Sequence, residues 1–462
     1  MKAIAACLGA ALAAVLWGAG CGDVVVQPIG AAGGAGVVPG DDAGDAGLGA
    51  DATPQGDASP AFCSGHGPIP LPGTSACLGD LADVFRFAAC ACTSLQVSGK
   101  LTTDSFDSDP DGGTGGAGVA SIASNGEIAT NATTNVSGSL WAGAPSTPGA
   151  PAVTLRSTGS IARDVRSGAG VEVGDGGAYL VEGNVWADGN VVLDPGASLA
   201  VGGTVHVPPG DSASGVQGNV VTGPVAVGAP CNCSHPIDVA AVVAAFAADN
   251  DDAAVGLAPV TTLAGTVTLP CGRYYVAGIA GGAVTLQVNG RVALMVAGDV
   301  AVTQDLHVAL APGAELDLFV KGGFDVMGSL EIGDTQAPAR TRLYVGGTTF
   351  SLSATAKPLA ANVYAPNATL LLSSDFEMWG ALFAQAIQLS GAFTIHYDTS
   401  VLQVAQGSGC APGGGACTTC DDCGGATPSC KNGACAPCST DADCCAPLAC
   451  DTMTGRCVLT LQ

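Results

Sequence analysis

"GAVTLQVNGRVALMVAGDVAVTQDLHVALAPGAELDLFVKGGFDVMGSLEIGD", residues 282–334, decides the fold. Apolar residues alternate along it: Val284, Leu286, Val288; then Val292, Leu294, Val296; then Leu306, Val308, Leu310; then Leu316, Leu318, Val320. A period of two over short runs is that of strands with one buried face. Asn-Gly, Ala-Gly, Pro-Gly or Lys-Gly punctuates nearly every run. The same beat returns in "VEGNVWADGNVVLDPGASLAVGGTVHVPPG", residues 181–210. Short, evenly spaced strands suit a sandwich, a barrel or a solenoid. Three features favour the solenoid. The rhythm runs from about Leu95 to Gln406, too long for one sandwich. Aromatics are only 5% of the chain, and the inward set is Val, Leu and Ala, which suits a thin core stacked in layers. The turns are tight glycine corners rather than long crossovers. The expected class is all-β: a parallel β-helix with one short inserted helix and a small disulfide-rich C-terminal module.

Composition fits this architecture. Glycine, 69 of 462 residues, is about twice its usual share, and charged residues, 11%, are less than half of theirs. The formal charge of −25 argues against nucleic acid and acidic lipid as partners.

The N-terminus sets the compartment. "MKAIAACLGAALAAVLWGAGC" carries one charge, Lys2, then an uncharged run, then small residues up to Cys21. That is the pattern of an export signal, residues 1–21. A cysteine directly after Gly18-Ala19-Gly20 resembles the lipoprotein signal of bacteria, which implies lipid on Cys21; Gly18 departs from the leucine usual there. Simple secretory cleavage and an uncleaved anchor are the competing readings, since Ala3–Gly22 is nearly long enough to span a bilayer. Of the 20 cysteines, Cys7 leaves with the signal and Cys21 takes lipid, so an even number remains for pairing in an oxidising compartment. Residues 22–61, rich in Gly, Ala, Asp and Pro, cannot bury enough apolar surface to offset ordering entropy and read as a solvated tether.

Two segments interrupt or flank the strands. Residues 62–94, with Cys63, Cys77, Cys90 and Cys92 and an apolar run through Leu81, Val84, Phe85 and Phe87, are expected to cap an open end of the solenoid at 95–406. "CNCSHPIDVAAVVAAFAADNDD", residues 231–252, is the best helix, about 234–248. Ser234 suits its cap, Asp238 its N-terminus, and Val239, Val242, Val243 and Phe246 one face.

Signals of chemistry are sparse. "IHYD" ends the rhythm at Asp398. In a strand, His396 and Asp398 face one way and Tyr397 the other, so these three read as the terminal rung rather than a reactive cluster. Asp107, Asp109 and Asp111 have the spacing of the first half of a calcium loop, but Gly118 stands where the bidentate glutamate belongs. "GTGGAG", 113–118, follows no strand and is a chance match to a dinucleotide fingerprint. Arg340 and Arg342 beside Asp334 are the only rough approximation to a polysaccharide-cleaving acid–base set. No cofactor is expected.

Residues 407–462 form a separate module. Ten cysteines fall within 417–457: Cys417, Cys420, Cys423, Cys430, Cys435, Cys438, Cys444, Cys445, Cys450 and Cys457. With no histidine and an oxidising compartment, disulfides prevail over zinc. Crosslinks must replace the missing core. Cys410 is left with Cys63, Cys77, Cys90, Cys92, Cys231, Cys233 and Cys271. An odd body set requires a bridge from Cys410 into the body, with Cys271 the first expected partner and Cys233 the second.

"TDSFDSD" (103–109), "CGRYYVAGI" (271–279), "PGAELDLFVKGG" (312–323), "RLYVGG" (342–347) and "YAPNATLLL…WGALFA…IHYD" (364–398) together resemble an uncharacterised solenoid-like domain of exported myxobacterial lipoproteins. A related version is attached to PilX-like pilus accessory proteins. The resemblance covers roughly 90–402 and implies an extracellular structural domain without assigned catalytic residues. The ending from Cys438 to Cys457 is similar to small dickkopf- and knottin-like modules. The expectation is a surface lipoprotein of a Gram-negative outer membrane with a structural or adhesive role. Its partner would be an envelope polysaccharide or protein, it would touch membrane only through its lipid, and it would not bind nucleic acid. The alternative is a carbohydrate-active β-helix enzyme.

Overall fold

The computed structural model describes residues 60–69, 84–108, 120–174, 176–234, 237–258, 261–352 and 358–402, together with short pieces between 429 and 459. Twenty-nine strands join in one sheet whose strand pairings are all parallel, wound as a β-helix. Residues of equal parity stack, and each coil lays its inner side chains on those of the next. One inner column runs through Tyr274, Leu294, Leu318, Leu343, Val363, Leu382, Ala89, Ile122, Leu140, Val165, Val185, Val205 and Val220. All but Val220 are buried. Such columns supply the hydrophobic drive that a short strand cannot supply alone.

The order of that column departs from the order of the chain. The first strand, Ala89–Val97, pairs on one side with Leu382–Leu389 and on the other with Ile122–Ser124 and Glu127–Thr130. Leu101–Phe106 likewise lies between Phe393–Asp398 and Thr134–Val136. The stack therefore begins at Thr262–Val276, runs forward to Asp398, continues into Ala89–Phe106, and ends at Gln217–Thr222. Two expectations change. Cys90 and Cys92, read as part of an end cap over 62–94, lie in a strand in the middle of the stack. "IHYD" is the last rung in sequence but not an end, because its far edge is paired with Leu101–Phe106. A parallel strand offers the same hydrogen-bond pattern to either neighbour, so alternation alone does not order the rungs.

Corners are closed by polar side chains reaching one coil onward. Asp164 Oδ1 accepts from Asn184 N–H, and Asn184 Oδ1 from Thr204 N–H, both at 2.9 Å. Asp299, Asp305 and Asp375 do the same for Gly323, Ser329 and Ala392, each at 2.8 Å. These bonds satisfy backbone groups at bends, where the ladder cannot.

Because the two ends of the sequence order meet mid-stack, the link from Gly223 to Thr261 must return along the whole length. It contains the one α-helix of more than a single turn among the described residues, Val239–Ala245, whose Val239, Val242 and Val243 are buried. The cap is Asp238, not Ser234: its carboxylate accepts from Ala241 N–H at 3.0 Å. In the C-terminal region, Ser429–Lys431 pairs antiparallel with Ala434–Ala436, and Leu448–Asp451 with Arg456–Leu459.

Candidate functional site: the strapped outer column

Immediately outward of the core column runs a second one: Tyr275, Met295, Phe319, Tyr344, Tyr364, Phe383, Cys90, Ala123, Trp141, Arg166, Trp186, His206 and Val221. Seven consecutive members, Met295 to Ala123, are buried although they face away from the core. The returning link covers them as a strap. Phe319 stacks on Tyr344 with centroids 4.3 Å apart, and Tyr364 lies against Phe383 at 5.1 Å. Burial pushes the Tyr344 hydroxyl well above its usual pKa, with nearby Asp317 adding to the rise. The strap helix sits where Gly346 leaves space, since a Cβ there would lie 3.1 Å from that of Val239.

The strap is fixed at every stage. Trp141 Nε1 donates to Gly228 O at 3.1 Å and Arg86 to Pro230 O at 3.0 Å. The Asn125 amide exchanges two bonds with the Cys231 backbone, 2.8 and 2.7 Å. Disulfides Cys90–Cys231 and Cys92–Cys233 follow, and then Ile237 N–H donates to the Tyr364 hydroxyl at 2.9 Å. At the far end the strap folds over the edge strand Thr262–Val276. Asp251 accepts from Arg273 N–H (2.8 Å) while its own N–H donates to Arg273 O (2.6 Å), and Asp252 accepts from Tyr275 N–H (2.9 Å). Burial pushes the Asp252 carboxyl up, the Tyr275 bond opposes this, and Asp251 adds to the rise. The Arg273–Tyr275 part of that edge is occupied by the chain's own carboxylates.

A second joint holds residues 60–69. Arg342, fully buried, donates to Asp317 Oδ1 at 2.6 Å and Glu315 Oε2 at 2.9 Å. Glu315 also accepts from Gly67 N–H, Asp317 accepts from Ile69 N–H, and Arg291 donates to Phe62, Gly67 and Pro68 carbonyls. Burial works against the Arg342 charge, but Asp317 and Glu315 more than offset it and hold the guanidinium firmly protonated. Burial likewise opposes ionisation of Glu315, yet Arg342, the Gly67 N–H and Arg291 hold its carboxyl below the usual range. The Cys63–Cys271 disulfide ties the same segment to the edge strand. Arg342 is thus consumed in a joint, and Arg340 is exposed. The Asp334 carboxylate accepts from Gln336 N–H at 2.9 Å, and no ion pair among the described residues joins it to either arginine.

The other sequence candidates are likewise placed. Tyr397 is buried and donates to Phe85 O at 2.7 Å; burial raises its pKa. Asp398, fully buried, accepts from Ser108 N–H and Oγ, Ala339 N–H, and Ser400 N–H and Oγ. His396 faces outward against Trp379, ring centroids 4.4 Å apart, with Nδ1 2.7 Å from Asp104 and Nε2 3.0 Å from Glu377. Both ring nitrogens are engaged, and each of the three residues has a separate set of partners. Among the described residues, no group of three or more His, Cys, Asp or Glu side chains is placed to hold a metal ion; Asp109 and Asp111 lie outside them, while Asp107 is described. No helix among them is long and apolar enough to cross a membrane; Cys21 and the signal segment lie outside.

The expected partners of Cys410 are corrected. Cys271 is joined to Cys63 and Cys233 to Cys92, because the edge strand and the strap bring those pairs together. Cys77 and Cys410 lie outside the described residues. The missed signal is the pair of matched motifs, Cys90-Ala-Cys92 and Cys231-Asn-Cys233. Equal spacing on two extended segments is what two adjacent bridges require. Disulfides across such long separations are those of a chain that folds in an oxidising, exported setting.

Past Ala123 the outer column emerges half-buried. Arg166 lies over the Trp141 ring at 5.1 Å and pairs with Asp164 at 3.2 Å, and Trp186 stacks on His206 at 3.6 Å. Burial lowers the His206 pKa, with Asp164 opposing.

Residues 232–404 match the model of a family described as a domain of unknown function, DUF7305. The match takes in most of the strap and the rungs up to "IHYD", and leaves out 89–222. No curated protein matches the chain. A solved ice-binding protein from an Antarctic bacterium, Flavobacteriaceae, aligns at 12% identity over 70% of this chain and 98% of its own, with a TM-score of 0.13, and at that score bears on neither fold nor function.

Proposed function

We propose that the chain is an exported envelope lipoprotein, anchored through Cys21 in a Gram-negative outer membrane, whose strapped solenoid serves as a structural, ligand-presenting element at the cell surface. The observation that carries this reading is the strap, which two disulfides tie to the middle of the stack and which ends in carboxylates bound along Arg273 and Tyr275 of the edge strand. The ionisable clusters of the solenoid support it too, since Arg342, Asp398 and His396 each serve a joint. The ligand class is an envelope polysaccharide or protein, and the cysteine-rich module at 407–462 is a second presenting element. No catalytic step is assigned.

The test is to express the full chain and its Cys21→Ala variant in a Gram-negative host, fractionate the cells, and incubate both proteins with envelope polysaccharide. The reading expects the parent in the membrane fraction, the variant released, and sugar retained without cleavage. A variant still in the membrane fraction contradicts the lipid anchor. Release of reducing or unsaturated ends favours a carbohydrate-active enzyme instead.

A further inference from the structure

The two ends of the stack are treated differently. At the Thr262–Val276 end, the N–H groups of Arg273 and Tyr275 are taken by Asp251 and Asp252. At the other end lies Gln217–Thr222, paired among the described residues only with Ser198–Val207 and exposed at every residue. Gly223 N–H donates back to Val207 O. The alternation of a parallel ladder then turns the N–H and C=O of Val220 and Thr222 toward the open edge. Among the described residues nothing covers the core there. Val220, last of the inner column, is 41% exposed, and four of the six exposed large apolar side chains among the described residues (Leu180, Val192, Val220, Val221) belong to these final coils.

Charge narrows the occupant. The chain carries −25, yet residues 212–237 contain no Asp, Glu, Lys or Arg. Two copies would repel over most of their surface but not at this end. In-register growth onto the opposite end of another copy is blocked on this side of the coil, because Asp251 and Asp252 already take the N–H groups of Arg273 and Tyr275, on either side of Tyr274 in the column that ends at Val220. A strand edge that cannot join head to tail closes with itself, antiparallel, about a two-fold axis. We propose that Gln217–Thr222 is a self-association edge, at which a second copy of this chain docks to form a closed two-fold dimer.

The test is sedimentation equilibrium of the purified full chain in a density-matched detergent, with Val221→Asp, Thr222→Pro and Met327→Asp variants. Val221 faces outward at 42% exposure and Thr222 offers its N–H to the open edge, so neither change removes an internal ladder bond. Met327 is also apolar and, at 60%, more exposed, but belongs to a different part of the stack. The expected result is a dimer for the parent and Met327→Asp. The other two variants should show a dissociation constant at least about tenfold higher with unchanged circular dichroism. A monomeric parent, open-ended polymers, or dimers untouched by both edge variants would overturn the proposal. Should both edge variants misfold, cross-linking of the parent with a photoreactive residue at Asn219 decides: a covalent dimer through 217–222 supports it, and its absence sinks it.

Discussion

Removing the strap's two disulfides singly and together should give strongly unequal losses. Cys90–Cys231 and Cys92–Cys233 each span 141 residues of chain. In the chain-entropy model, closing a loop of that length restricts the unfolded state by about 5 kcal/mol. Once one bridge exists, the other closes only a small ring, with three residues from each segment, Cys90–Cys92 and Cys231–Cys233. The same model gives that second closure only about 2 kcal/mol. Replacing Cys92 and Cys233 by alanine should therefore cost about 2 kcal/mol, and replacing all four cysteines about 7 kcal/mol, with the long loop lost only in the quadruple variant. The assay is non-reducing guanidinium unfolding of the full chain. Trp fluorescence is a suitable reporter because Trp141 donates to the strap at Gly228. Cys90 is buried, so its alanine variant adds a small cavity cost, and the Cys92–Cys233 pair is the cleaner single removal. A loss of about 5 kcal/mol from that single removal would refute the reasoning, as would a quadruple variant no weaker than the single one.

Leu372→Asp, which places a charge in the inner core, should cost at least about 3 kcal/mol, while His396→Ala should stay within about 1 kcal/mol, because its carboxylate partners are half exposed; thermal unfolding of both checks this. Glu315 ionises more readily in the folded protein than in the unfolded chain, so its joint contributes fully above the ordinary glutamate pKa and is lost as pH falls through the depressed value. Amide exchange at Gly67 and Ile69 should accordingly quicken, relative to the core, on acidification through that window, and protection unchanged down to pH 2 would contradict it. Non-reducing peptide mapping should find Cys63–Cys271, Cys90–Cys231 and Cys92–Cys233, which by parity leaves Cys77 to Cys410; recovery of Cys410 within a tail peptide would refute the counting.

The strands were legible because their alternation has a physical cause that acts locally: one face packs and the other does not. Val284, Leu286, Val288 and their successors are indeed inward and buried, apart from Leu310, which is half-buried. Stacking order was not legible, since nothing in "ACACTSLQV" distinguishes a first rung from a middle one. That information lies in partners hundreds of residues away, such as Leu382 and Ile387 beneath Ala89 and Leu95. Residues such as Phe319 and Tyr344 broke the alternation by being apolar on the outer face, and that excess was a readable sign of a covering strap. Arg342 could not be read as a joint from sequence, because its partners Glu315 and Asp317 meet it only through the stacking of two coils.

The central claim is that the solenoid's first strand in sequence, Ala89–Val97, lies against Leu382–Leu389 near the solenoid's C-terminal end. Gln96 and Gln388 are paired in register across that junction and both are exposed, so a Gln96→Cys, Gln388→Cys double variant provides the direct measurement. Oxidative formation of the new bridge, located by peptide mapping in the folded full chain, is expected to be rapid and near complete. A stack ordered as the sequence is written would hold those two positions at opposite ends of the solenoid. Two thiols that remain free while the native bridges are intact would contradict the account.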